Sequence, residues 1–232
     1  MIGEPRTHVA ECESTQLLLG PDDPEGAIAT TDHQTAGRGR LGRAWIEAPG
    51  TSALVSVLLR PPPGRKASEL SLVAAAAVAL ALEDVTGTAA QVKWPNDVLL
   101  AGRKVAGILA ELRGGAVVLG IGVNVNQTEE QLPRDARVPP GSLRALDGVE
   151  RDREGVLAAV LHRLDRLYAA WRDVGLAAVH AELGERDYLR GRRVRTDAGL
   201  GVATGIDDAG RLLVRTEGGT VAVASGEIDL VP

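Results

Sequence analysis

Residues 37–45 read Gly37-Arg38-Gly39-Arg40-Leu41-Gly42-Arg43-Ala44-Trp45, and this stretch decides against a doubly wound fold. Gly37, Gly39 and Gly42 formally satisfy G-x-G-x-x-G. A Rossmann turn, however, opens straight into an apolar helix and meets an acid about 20 residues later. Here the loop runs into Trp45-Ile46-Glu47-Ala48-Pro49, and the region where the acid belongs is the run Pro61-Pro62-Pro63-Gly64. No Gly-Lys-Ser/Thr follows, which excludes the phosphate loop of nucleoside triphosphatases. What remains is a permissive backbone carrying three arginines. Glycine reaches positive φ and lets the chain fold closely over a ligand. Arginine offers a planar fork that matches carboxylate and phosphate oxygens. An exposed basic loop is the plain alternative, but it leaves the Arg/Gly alternation and the closing Trp45 unexplained.

Downstream, Lys93-Trp94-Pro95-Asn96-Asp97 follows a strand-like run over residues 90–93. Pro95 should end that ladder and leave Asn96 and Asp97 in a turn at the strand's carboxyl end. The group offers a cation, an amide and a carboxylate able to ligate Mg²⁺. A capped turn accounts for Pro-Asn-Asp but not for Lys93-Trp94. Lys104-Val105-Ala106-Gly107-Ile108-Leu109-Ala110-Glu111 reads as a strand in which Gly107 is unfavourable unless a backbone or ligand approaches closely. Gly120-Ile121-Gly122-Val123-Asn124-Val125-Asn126 repeats the pattern, with Asn124 and Asn126 able to read a base edge. Glycine gaps on two adjacent strands predict a narrow apolar slot floored by sheet, bulges being the alternative. Ser14-Thr15-Gln16 is a common helix-start pattern, and neither it nor Gln34 carries a function alone. His33 reads as a local hydrogen-bonder.

Around these motifs the chain is ordinary for a globular protein. Its 232 residues suit one large domain, or a medium one with a small module. A net charge of −5 leaves no overall basic field for nucleic acid. Residues 1–13 lack an apolar h-region and include Glu4, Glu11 and Glu13, which argues against a secretory signal. The longest apolar run, residues 72–82, is about half a bilayer span and reads as a core helix. Cys12 is the single cysteine, so neither a disulfide nor a cysteine metal cluster is available. These features predict a cytoplasmic protein. Only three of its 26 basic residues are lysines, and two of them, Lys93 and Lys104, flank the turn at Asp97.

Residues 52–59 read as a buried strand and residues 68–84 as a helix stopped by Gly87. The runs 104–112 and 116–123 flank Arg113-Gly114-Gly115, a hairpin signal. Residues 152–171 form a second helix, with Val156, Val160, Leu164, Leu167 and Trp171 on one face. Tyr168 and Trp171 belong to the core, and residues 176–183 continue helical. Beyond residue 186, the runs 191–196, 201–206, 211–216 and 220–225 alternate with turn signals, which predicts a small barrel docked on the larger domain.

Taken in order, these pieces resemble the catalytic domain of biotin–protein ligases. The pieces are Ser-Thr, Gln-x-x-Gly-Arg-Gly-Arg-x-Gly-Arg-x-Trp, Lys-Trp-Pro-Asn-Asp, Lys-x-x-Gly-Ile-Leu-x-Glu and Gly-x-Gly-x-Asn, in register over roughly residues 13–126. Gly205-Ile206-Asp207 and Gly226-Glu227-Ile228 also look like that family's SH3-like C-terminal module. The resemblance implies an α+β fold: a class II aminoacyl-tRNA-synthetase-like catalytic domain, a mixed sheet with helices, over residues 1–185. A small SH3-like β-barrel follows over residues 186–232. It implies a ligase that makes biotinyl-5′-AMP from biotin and ATP, with Mg²⁺, and passes biotin to a lysine of a biotin carboxyl carrier protein. Lys104, Arg38 and Arg40 match its catalytic cations, Lys104 acting as a point charge. Biotin falls to Ser14, Thr15, Gln16, Gln34, Gly37, Arg38, Gly39, Arg40, Lys104, Gly107 and Gly122. ATP falls to Arg38, Arg40, Arg43, Trp45, Asn96, Lys104 and Asn124, and the metal to Asp97. Two positions depart from the family: Gln16 stands where asparagine is frequent, and Leu41 where a further arginine is common. The family's amino-terminal helix-turn-helix has no room before Ser14, so no DNA partner is expected, and an apolar run of about half a bilayer span predicts no membrane partner.

Two other functions fit parts of this pattern. A lipoate–protein ligase shares the fold and reaction type, but the arginine loop together with Lys-Trp-Pro-Asn-Asp favours biotin. A non-catalytic biotin- or nucleotide-binding regulator would need neither Lys104 nor Arg40, and both are present.

Overall fold

The computed structural model describes residues 1–134 and 137–231; Pro232, the last residue of the expected second domain, lies outside the described residues. A seven-stranded sheet organises the larger part, in the order β1-β2-β3-β7-β6-β5-β4. Its strands are β1 (Arg6–Cys12), β2 (Ile28–Gln34), β3 (Ser52–Leu59), β4 (Ala90–Lys93), β5 (Asp97–Leu100), β6 (Arg103–Arg113) and β7 (Ala116–Asn124). Among the described residues, β1 and β2 are the one parallel pair of neighbouring strands in this sheet, and its other neighbouring strands pair antiparallel.

The apolar runs went where their patterns demanded. β3 is buried along its whole length, which explains why SALVSVLL shows no alternation. Helix α1 (Leu70–Thr86) is apolar almost all round because it is enclosed, and Gly87 ends it at φ 68°. A short helix α2 (Leu143–Asp147) precedes α3 (Arg153–Val174). Asp152 caps α3 by accepting from the N–H groups of Glu154 and Gly155, a contribution of about 1 kcal/mol. Val156, Val160, Leu164, Tyr168 and Trp171 form its buried stripe, while Leu167 is only partly buried. After Gly175 the expected helix is broken into a 3-10 turn and α4 (His180–Glu185).

Two sequence expectations need correction. Asp97 does not sit in the turn; it opens β5, paired with Lys93, so Trp94-Pro95-Asn96 is the turn of a hairpin. β1 and β2 carry too many polar residues, and β5 too few residues, to be read as strands from pattern alone. The C-terminal module has five antiparallel strands where four were expected, in the order β11-β10-β9-β8-β12. They are β8 (Arg193–Thr196), β9 (Gly199–Ile206), β10 (Leu212–Thr216), β11 (Gly219–Val223) and β12 (Asp229–Leu230). The last has two residues and no alternation to announce it.

Candidate active site

A cavity of about 660 Å³ opens over one face of the large sheet and is closed on one side by the C-terminal module. One transverse row of the sheet carries its floor: Lys93 pairs with Asp97, Asp97 with Gly107, Gly107 with Gly122, and Gly122 with Leu54. All five residues line the cavity. Lys104 lies three positions from Gly107, and simple strand alternation would turn it to the opposite face. β6 carries an extra residue here, since Val98 pairs with Ala106 while Leu99 pairs with Lys104. This bulge brings Lys104 onto the cavity face.

The glycine slot exists, and its glycines are not bulges: the β6–β7 register runs unbroken from Ala106 to Arg113. The indole of Trp45 lies over it. A Cβ on Gly107 would stand 2.9 Å from Trp45 Cζ3, and one on Gly122 would stand 2.8 Å from Trp45 Cε2. Gly120 makes room for a different group, because its Cβ would meet Gln16 Nε2 at 2.7 Å.

At the end nearest β2 and β3 the polar residues interlock. Gln34 Oε1 accepts from Thr15 N at 2.9 Å, Ser14 Oγ at 3.2 Å and Thr15 Oγ1 at 3.3 Å. Ser56 Oγ, which the sequence did not single out, donates to Thr15 Oγ1 at 2.8 Å. Gln16 is 2% exposed; its Nε2 donates to the Leu109 carbonyl at 2.9 Å, and its Oε1 has no hydrogen-bond partner among the described residues. A buried acceptor without a donor is uncommon in folded proteins and marks this position for attention.

The arginine loop folds back on itself. Trp45 N donates to Gly37 O at 2.8 Å and Gly39 N to Arg43 O at 2.7 Å. Gly37 therefore stands at the loop's base, where a Cβ would lie 2.4 Å from the Trp45 carbonyl, and not on the cavity wall. His33 is the local hydrogen-bonder expected: its Nδ1 lies 2.9 Å from Glu47 Oε1, which also accepts from Gln34 N. Arg38 pairs with Glu111 at 3.5 Å and Arg43 with Glu227 at 3.2 Å. Arg40 donates to Asn96 Oδ1 at 3.2 Å; burial pushes its pKa down and Asp97 pulls it up. Lys104 Nζ lies 2.6 Å from Asp97 Oδ1 and 5.7 Å from the Trp45 ring centre. Lys104 thus contacts the Asp97 carboxylate, whose charge Arg40 and Lys93 also feel.

Two asparagines are more committed than their sequence context implied. Asn124 lines the cavity, but its amide donates to Gly141 O and accepts from Gln127. Asn126 both donates to and accepts from the backbone of Arg151, away from the cavity. Sequence reading missed the wall formed by Gly226, Glu227, Ile228, Asp229 and Leu230. Their placement depends on how the module docks.

This mixed sheet, with a folded arginine loop over a glycine slot and cations gathered at one carboxylate, defines an acyl-activating ligase site. A family model described as the biotin/lipoate A/B protein ligase family matches residues 13–127, and one described as the biotin protein ligase C terminal domain matches residues 191–231. The chain belongs to the biotin protein ligases of this family. The biotin–[acetyl-CoA-carboxylase] ligase of Paracoccus denitrificans is 36% identical over 95% of this chain and 98% of its own length. The bifunctional ligase/repressor BirA of Bacillus subtilis (strain 168) is 37% identical over 92% of this chain and 69% of its own. The biotin protein ligase from Aquifex aeolicus solved in complex with biotin and ATP superposes with a TM-score of 0.89 at 31% identity, covering 99% of both chains. Among the described residues no helix is long and apolar enough to cross a membrane.

Proposed function

We propose that this ligase joins biotin to ATP in the cavity over the glycine slot, and then to a lysine of a biotin carboxyl carrier protein. We assign the catalysis to residues 1–185 and the closing wall to residues 186–232. The observation that carries this reading is the contact of Lys104 with Asp97 beside Arg40 on Asn96, next to a polar pocket in which an amide oxygen has no partner among the described residues.

A carboxylate attacking a triphosphate brings two anions together, so cations must gather where they meet. One unit charge about 4 Å away is worth roughly 4 kcal/mol at an effective dielectric near 20. In the first step, a biotin carboxylate oxygen bonds to the α-phosphorus of ATP. The bond from that phosphorus to the bridging oxygen breaks, and pyrophosphate leaves. Lys104 and Arg40 stabilise the charge on the phosphate and carboxylate oxygens; Arg38 and Arg43 hold the lid. In the second step a neutral lysine amine of the carrier attacks the acyl carbon, AMP leaves with the bonding pair, and the amine loses a proton. The acyl phosphate is water-labile, and a closed arginine loop keeps water from it.

Ser14, Thr15, Gln16 and Gln34 face the head of biotin. Its cyclic urea has N–H donors for Gln16 Oε1, whereas the dithiolane of lipoate has none, which favours biotin over lipoate. Trp45 and Asn96 border the nucleotide, and Asn124 shapes its wall through its contacts with Gly141 and Gln127.

Among the described residues no three His, Cys, Asp or Glu side chains converge as a metal site. The donor set fits an Mg²⁺ that arrives on the phosphates and takes one carboxylate, Asp97, and not a resident ion. When bound, the ion neutralises phosphate charge. A single cysteine and the need for ATP support a cytoplasmic setting.

The test is to incubate the protein with ATP, a carrier domain and either biotin or lipoate, then weigh the carrier. One biotinyl group per carrier is expected. A lipoyl adduct, or no adduct with either acid, would overturn the proposal.

A further inference from the structure

We infer that Lys93 and Trp94 are positioning residues, which seat the C-terminal module as the wall of the cavity's nucleotide end. The inference rests on reading that end as the ATP site.

Three consecutive residues at the end of β4 reach into three separate C-terminal segments. Val92 N donates to Arg186 O at 2.7 Å, and Tyr188 N donates to Val92 O at 3.0 Å. Lys93 Nζ donates to the Ile228 carbonyl at 3.0 Å. Trp94, 2% exposed, donates from Nε1 to the Gly210 carbonyl at 2.9 Å. The acceptor at Gly210 is held firmly, because Asp207 closes its turn by accepting from Ala209 N at 3.0 Å and Arg211 N at 2.8 Å. Ile228 is itself buried, between Glu227 and Asp229 on the cavity wall.

Lys93 is mostly buried, and burial pushes its ammonium pKa down while Asp97 pulls it up. A desolvated ammonium needs acceptors, and the carbonyl of Ile228 supplies one. Asn96 and Asp97 follow within the same hairpin and line the same cavity. The hairpin that presents polar groups to the nucleotide is therefore the hairpin that grips the module. The Ser14–Gln16–Gln34 pocket hangs instead from β2, β3 and the Leu109 carbonyl, and does not depend on that grip. This accounts for the part of Lys-Trp-Pro-Asn-Asp that a capped turn leaves unexplained.

The test compares Lys93→Met, Trp94→Phe and Lys93→Arg in the full chain. Hydrogen–deuterium exchange of the ligand-free protein is read over residues 226–231, where Val231 N donates to Arg193 O. KM for ATP and for biotin come from pyrophosphate release. Lys93→Met and Trp94→Phe should each speed exchange in that segment and raise KM for ATP about fivefold, as expected for one lost hydrogen bond. KM for biotin and kcat at saturating ATP should hold, and Lys93→Arg should recover both properties. Unchanged exchange in Lys93→Met together with a fall in kcat would mean that Lys93 acts on the substrate directly, overturning the inference. Unchanged exchange and unchanged KM for ATP in both variants would also overturn it. If Trp94→Phe does not fold, Lys93→Met carries the test. If the wild-type protein makes no adenylate, the ATP reading fails, while the exchange comparison still decides whether Lys93 and Trp94 seat the module.

Discussion

Lys104 Nζ sits 2.6 Å from Asp97 Oδ1, and this contact exists because a bulge in β6 turns Lys104 toward the face that Asp97 occupies. The pair is partly sheltered, with side-chain exposures of 29% and 16%. The carboxylate holds the ammonium at the cavity wall, where the proposed reaction needs a cation. Lys104→Ala removes a cation from the reacting centre and should slow adenylate formation by about 10²–10³-fold. Rapid-quench measurement of biotinyl-adenylate checks this, and near-normal formation would remove Lys104 from the chemistry.

Arg38 reaches from the loop to Glu111 on β6, the contact through which the proposed lid would close. Arg38→Gly should release that closure and let the adenylate escape. Free biotinyl-adenylate should then appear in the filtrate, and bystander proteins should be biotinylated on exposed lysines. Retention of the intermediate at the wild-type level would show that Arg38 is dispensable for closure.

Gly122 leaves no space for a methyl group beneath Trp45, since its Cβ would stand 2.8 Å from the indole. Gly122→Ala should lift the indole out of the slot. Trp94 and Trp171 are 2% and 0% exposed, so a red shift in fluorescence would report Trp45. The same variant should bind biotin more weakly. An unshifted spectrum would mean that the methyl group is absorbed elsewhere.

Gln16 carries a buried acceptor that no group among the described residues satisfies. Gln16→Met deletes it along with the hydrogen bond to Leu109, so the two effects on folding should partly cancel. The melting temperature should move little, while KM for biotin rises about tenfold, which corresponds to about 1.4 kcal/mol for one lost hydrogen bond. Equal KM values would show that the Oε1 atom does not meet the ligand.

Much of this was legible in the linear chain because it depends on local rules. The Arg113-Gly114-Gly115 hairpin, the capped helix α3 and the fully buried β3 are each specified by residues close in sequence. Strands β1, β5 and β12 were not. β1 is largely exposed and so carries no apolar alternation, and β5 and β12 are too short to show a period. Gly37, which the resemblance assigns to biotin, stands at the base of the loop and off the cavity wall. Its lack of a side chain is required by the crossing with Trp45 O, a contact that only the folded loop makes.

The sequence by itself determined which residue types are present for acyl activation and in what order: the arginine–glycine loop, Lys93 to Asp97, Lys104 and the paired glycine gaps. Side-chain chemistry and backbone permissiveness are properties of the residues themselves, so they can be read before any fold is known. Tertiary structure decided what those residues face. A one-residue bulge reversed the face of Lys104, and register aligned Lys93, Asp97, Gly107 and Gly122 across four strands. Docking of the C-terminal module brought Glu227 to Arg43 and Ile228 to Lys93, across separations of more than a hundred residues. Such pairings depend on register and packing, which no local spacing encodes.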